Sequence, residues 1–156
     1  MRRFSITVAL LVICTSPLWS QDHVPSNQKA VEQTLSKFVT AFDNLDWPTF
    51  RACFSSDATV FYPVSQFAKR IDSAADFEKA WLAVFESLKK ASGRTTPPYM
   101  DLVPIDLRID LLSPDAAITT FHLIRGNTVS RRTLVWKRFP DGWKIVHLHA
   151  SNLTTP

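Results

Sequence analysis

Disulfide cross-links are the first thing this chain has to do without. It carries two cysteines in 156 residues, Cys14 and Cys53. Cys14 falls in what reads as a removable leader, so the mature chain keeps one cysteine and no intramolecular disulfide. Stability then has to come from a packed core. Charge of one sign is also scarce. The formal net charge is +4, and losing Arg2 and Arg3 with the leader takes it to about +2. No basic stripe remains to follow a phosphate backbone, which argues against nucleic acid as a partner. A long apolar run is missing too: the one at 6–13 is far short of the roughly 20 residues a membrane-crossing helix needs. The sequence contains no internal repeat and no low-complexity tract.

The N-terminus has the build of a secretory signal peptide: Arg2 and Arg3, the apolar run 6–13, then 14-CTSPLWSQ-21. Cleavage is expected after Ser20, with Leu18 at the third position before the cut. Lipid attachment at Cys14 would want a small residue before it, and Ile13 is bulky. The expected organisation is therefore a signal peptide at 1–20 and a single domain at 21–156. The protein is expected to be secreted or periplasmic, with no membrane association after cleavage. What the chain does have is aromatic mass, with 11 Phe and 5 Trp, enough to build a large apolar interior.

Periodicity divides the rest. Val31, Leu35, Phe38, Val39 and Phe42 form one stripe of a helix over 27–43. Asp46 reads as an N-cap, with Pro48 in the first turn of a short second helix. The stretch 58-ATVFYPV-64 is β-branched and aromatic, a strand stopped near Pro63. Over 73–93, Ser73 and Asp76 resemble a capping box. Phe77, Ala80, Trp81, Val84, Phe85 and Leu88 form a stripe, and Gly93 ends the helix. The period then becomes two. In 103-VPIDLRIDLL-112, Val103, Ile105, Leu107, Ile109 and Leu111 alternate with mostly polar residues. Strands over 116–124, 128–138 and 143–150 follow, separated by Arg125-Gly126-Asn127 and Pro140-Asp141-Gly142. Helices first and antiparallel strands after predict an α+β domain with helices on one face of a sheet.

Two stretches carry a family resemblance. The first, 45-LDWPTFRACFSSDATVFYPV-64, resembles SnoaL-like and ketosteroid-isomerase-like proteins. The second, 133-TLVWKRFPDGWKIVHLHASN-152, is similar to the closing hairpin of the association (hub) domain of calcium/calmodulin-dependent kinase II and of SnoaL-like relatives. Its Trp136 and Trp143 spacing, Asp-Gly turn and Val-His-x-His ending all match. The resemblance spans nearly the whole mature chain. It implies an NTF2-like cone, three N-terminal helices packed on a curved antiparallel sheet. Nothing resembles a kinase, and one such fold serves many functions.

The resemblance also allows a position-by-position test. A ketosteroid isomerase needs a carboxylate base and a donor Tyr. Tyr62 falls where that base belongs and Phe38 where the donor belongs. A phenol near pKa 10 is a poor base at neutral pH, and Phe donates nothing, so this isomerase chemistry is not expected. The hub domain's pocket arginines fall here on Leu134 and Ala150. Arg132, two residues before Leu134 on the same face, offers a cation in their stead, or else forms a salt bridge at the core edge.

The ending 142-GWKIVHLHASN-152 puts His147 and His149 on one face of a strand. A metal site would need a third ligand, such as His122, Asp106 or Asp110; no metal and no cofactor is predicted. The resemblance puts Val146, Leu148 and Ala150 on the pocket side, so that Ile145, His147 and His149 face outward as a dimer interface. The expected pocket lining is Phe38, Phe42, Tyr62, Trp81, Phe85, Leu134, Trp136, Val146, Leu148 and Ala150. Candidates for acid–base work are Tyr62, His122 and Arg132. The expected role is binding a small, mostly apolar molecule in the cone, as a homodimer. Two alternatives stay open: an enzyme with isomerase, dehydratase or hydrolase chemistry, and an assembly module resembling the hub domain.

Overall fold

A computed structural model describes residues 23–63 and 69–154; the expected signal peptide and Val64 lie outside the described residues. Helix α1 (His23–Asp43) is followed by α2 (Trp47–Ala52), strand β1 (Phe54–Phe61) and α3 (Ala74–Ser92). Four strands complete the chain: β2 (Ile105–Ser113), β3 (Ala116–Arg125), β4 (Thr128–Phe139) and β5 (Gly142–Thr154). They form one five-stranded sheet in the order β1-β5-β4-β3-β2.

Local chemistry sets the helix ends. The Asp46 carboxylate accepts from the Thr49 N–H at 3.3 Å, opening α2. Ser73 Oγ accepts from the Asp76 N–H at 3.1 Å and donates to the Asp76 carboxylate at 2.7 Å. Gly93 closes α3 at φ +65°, a conformation glycine adopts without a Cβ clash. The stripes of α1 and α3 then meet in an aromatic cluster centred on Phe50. Its ring lies 5.4 Å from Phe38, 5.1 Å from Phe54, 4.6 Å from Trp81 and 5.1 Å from Phe85.

The structure corrects three expectations for the strands. β1 starts at Phe54, four residues before the predicted 58, and it pairs with β5 in parallel, so the sheet is antiparallel everywhere except at this pair. In β2 the pairing register shifts between Ile105 and Arg108, and Asp106 has φ +52°. An extra residue in a ladder reverses which side the following residues face. Ile109 and Leu111 therefore pack on the core, while Val103, Ile105 and Leu107 are exposed. In β5 the register shifts where Val135 pairs with His147 but Trp136 pairs with Ile145, leaving Val146 as the bulged residue. The two-residue period breaks there, so Trp143, Ile145, Leu148 and Ala150 are all buried on the concave side. Ile145 is a core residue with no exposed surface, not part of an outward stripe with the histidines.

Candidate functional site

Helices α1 and α3 close over the concave face of the sheet and leave a cavity of about 310 Å³ between them. The segment after α3 forms part of its wall. The Asp43 carboxylate, at the end of α1, accepts from the Met100 N–H at 2.8 Å and the Leu102 N–H at 3.0 Å. Both Met100 and Leu102 line the cavity. One acid at a helix end thus sets where that wall stands.

Six of the expected lining residues do line the cavity: Phe38, Phe42, Tyr62, Trp81, Leu148 and Ala150. Four do not. Leu134 and Trp136 are fully buried in the core, with the Trp136 indole N–H donating to Thr119 Oγ1 at 3.0 Å. Phe85 packs into the Phe50 cluster and faces a shallow groove beside Trp47 and Tyr99. Val146 is displaced by the bulge. The sequence reading missed the mouth: Arg125, Thr128, Ser130 and Asn152, all lining the cavity from the end of the β3–β4 hairpin and the neighbouring stretch of β5. Their signal was present, because Ser130 and Asn152 share a face with Arg132 and Ala150 by strict alternation.

Arg132 is half-buried on the inner face of β4, opposite Phe121 and Ala150. Among the described residues it makes no ion pair; its guanidinium donates only to the Arg131 carbonyl, at 2.9 Å. The salt-bridge reading of Arg132 is thereby excluded among these residues. Burial alone lowers its pKa to about 10, so it stays charged at neutral pH. Tyr62 packs its ring 4.6 Å from Trp81, and burial pushes its phenol well above the ordinary range. It is held neutral, able to donate a hydrogen bond and unfit as a base. The Trp81 side chain is 4 % exposed, and its indole N–H meets no acceptor among the described residues.

The histidines lie elsewhere. His122 faces outward from β3 with Nδ1 3.3 Å from Asp106 Oδ2. His147 Nδ1 lies 2.7 Å from Thr59 Oγ1, and the Phe61 ring sits 5.7 Å from His147 and 5.6 Å from His149. Among the described residues these groups do not come together into a cluster of three or more His, Cys, Asp or Glu side chains. Burial, then the charges of His149 and Arg70, push the His147 pKa below its ordinary 6.5. The unfolded chain therefore takes up this proton more readily than the folded one. The stability held by neutral His147 is intact above 6.5 and is lost as pH falls below that value. Thermal melts should show Tm dropping in that window, with His147→Gln flattening the drop. An equal drop in the variant would place the acid sensitivity elsewhere.

A SnoaL-like domain model matches residues 31–155. The chain belongs to the SnoaL-like domain family. Solved structures agree at the level of fold. An NTF2-like family protein from Streptomyces avermitilis matches with a TM-score of 0.68 at 15 % identity, over 84 % of this chain and 99 % of that one. An NTF2-like protein from Pseudomonas putida matches at 0.65 and 18 % identity, over 81 % and 87 %. The association domain of Caenorhabditis elegans calcium/calmodulin-dependent kinase II matches at 0.62 and 16 % identity, over 83 % and 98 %. No curated protein matches the chain. The α+β cone expected for this SnoaL-like chain is thus the observed fold, and such a cone is a domain for small-molecule binding or enzymatic work. No helix among the described residues is long and apolar enough to cross a membrane.

Proposed function

We propose that this SnoaL-like chain is an exported binder of a small, mostly apolar molecule, held in the cone cavity, and that it works as a homodimer. One observation carries the binding reading. Among the described residues the titratable side chains lining the cavity are Tyr62, Arg125 and Arg132, none of which is a residue type suited to act as a base at neutral pH. The remaining lining is predominantly aromatic and aliphatic, which suits holding an apolar body more than moving protons. Export rests on the leader features Arg2, Arg3 and the 6–13 run.

A cavity-filling variant tests the binding reading. The mature protein should enhance the fluorescence of the neutral probe N-phenylnaphthylamine. Ala150→Phe, which puts a ring into the cavity from its wall, should abolish the enhancement. Undiminished probe binding in a folded Ala150→Phe protein would place the binding site elsewhere.

Support for the dimer comes from the convex face of the sheet. It carries Phe61 and Leu153, which are 37 % and 51 % exposed, beside His147, His149 and Val135. A sheet face of this kind gains by being covered. Sedimentation analysis should give twice the chain mass, and Val135→Glu, in mid-face beside His147, should give the chain mass with unchanged circular dichroism. A wild-type monomer would refute the dimer.

A further inference from the structure

The charged and donor groups of the cavity are out of balance. Its lining includes two arginines and no aspartate or glutamate among the described residues. Arg132, half-buried on the cavity wall, presents a guanidinium with no counter-ion among the described residues. At the mouth, the Asn152 side-chain oxygen already accepts from Ser130 Oγ at 2.8 Å, leaving its amide N–H groups to donate. Two neighbouring strands, β4 and β5, therefore bring donors to a space otherwise walled by Phe38, Phe42, Phe121 and Leu148. What is missing is an acceptor that carries negative charge.

We propose that the molecule taken into the cone is an organic monocarboxylate, its apolar body among Phe38, Phe42 and Leu148 and its carboxylate paired with the Arg132 guanidinium. This inference rests on the binding reading above and deepens it. A carboxylate matches the planar fork of one guanidinium and neutralises its single charge. A phosphate monoester would bring close to two charges to one inner arginine and leave the surplus in an apolar space. An amine would add a second cation beside Arg132. A neutral alcohol would accept a hydrogen bond but leave the charge uncompensated.

Matched pairs isolate the charge. Octanoate with octanol, and phenylbutyrate with phenylbutanol, are titrated calorimetrically into the mature wild-type protein and into Arg132→Met at neutral pH. In the wild type the acids should bind at least about tenfold more tightly than the alcohols, the scale of a charge-assisted hydrogen-bonded pair. Arg132→Met should remove most of that preference and leave alcohol affinity within about twofold, because the variant keeps the apolar stem. Equal affinity of acid and alcohol in the wild type overturns the inference and leaves the binding reading standing. So does failure of both acids to bind while the neutral fluorophore still binds. A preference that survives in Arg132→Met overturns the role of Arg132. Failure of acids, alcohols and fluorophore alike removes the binding reading and the inference with it. Should Arg132→Met fail to fold, Arg132→Lys takes its place and the wild-type comparison decides the ligand class.

Discussion

Phe50→Ala should cost about 3–5 kcal/mol of folding stability, the usual range for emptying a buried phenylalanine site. Phe50 has no exposed surface and sits where four elements converge. Its ring contacts Phe38 and Phe42 from α1, at 5.4 and 5.6 Å, and Trp81 and Phe85 from α3, at 4.6 and 5.1 Å. Phe54 of β1 lies 5.1 Å away and Trp47 of α2 6.2 Å away. These neighbours are themselves held by one another and cannot collapse into the space without breaking their own contacts, so the cavity term is expected in full. Several of the pairs are edge-on or tilted, an arrangement that adds to simple area burial. Domains of this size have about 5–15 kcal/mol to lose, so the variant should be marginal at room temperature. Urea denaturation, with the m-value compared to wild type, reads the effect. A loss under about 1 kcal/mol would mean that the cluster repacks and that Phe50 is not its centre.

Trp136→Ala should cost a similar amount, about 3–5 kcal/mol, by a different route. Trp136 and Thr119 are both fully buried on neighbouring strands β4 and β3, joined by the indole N–H to Thr119 Oγ1 bond of 3.0 Å. Trp136 does not line the cavity, so the expected result is a loss of stability, with ligand affinity in the surviving folded fraction unchanged. A Trp136 lining the pocket, as the sequence predicts, would give the reverse. Thr119→Val separates packing from hydrogen bonding. It keeps the shape but strands the indole N–H, at about 1–3 kcal/mol. Adding Trp136→Phe to Thr119→Val should then cost less than its effect in the wild-type background, because the orphaned donor is gone. Strict additivity of the two substitutions would show that the bond contributes nothing.

Both expectations depend on the side of a strand that a residue faces, and there the sequence and the folded chain part company. Helix faces were legible. The α1 and α3 stripes, the Asp46 and Ser73 caps and the Gly93 terminator follow from periods and side-chain chemistry that act within a few residues. The hairpin turn at Asp141-Gly142 and the family's cone follow from similarly local signals, together with the resemblance of the closing hairpin. Of the six lining residues named from the sequence, five lie on helix stripes or on the regular end of β5, and the sixth, Tyr62, follows the end of β1.

Long-range pairing decided the rest. The bulge at Val146 turned Ile145 into the core and left the two histidines outside, and the shift after Ile105 exposed the first half of β2. One inserted residue reverses the facing of all that follow, and nothing in the alternation of 103–112 or 142–152 marks where the insertion falls. The parallel pairing of β1 with β5 joins segments far apart in sequence, as does the Asp43 latch on Met100 and Leu102. The most consequential case is Arg132. The sequence supplies the cation, but whether it meets a carboxylate depends on which side chains the other elements bring to it. In the folded chain none of the described residues does, and that leaves a positive charge facing the cavity.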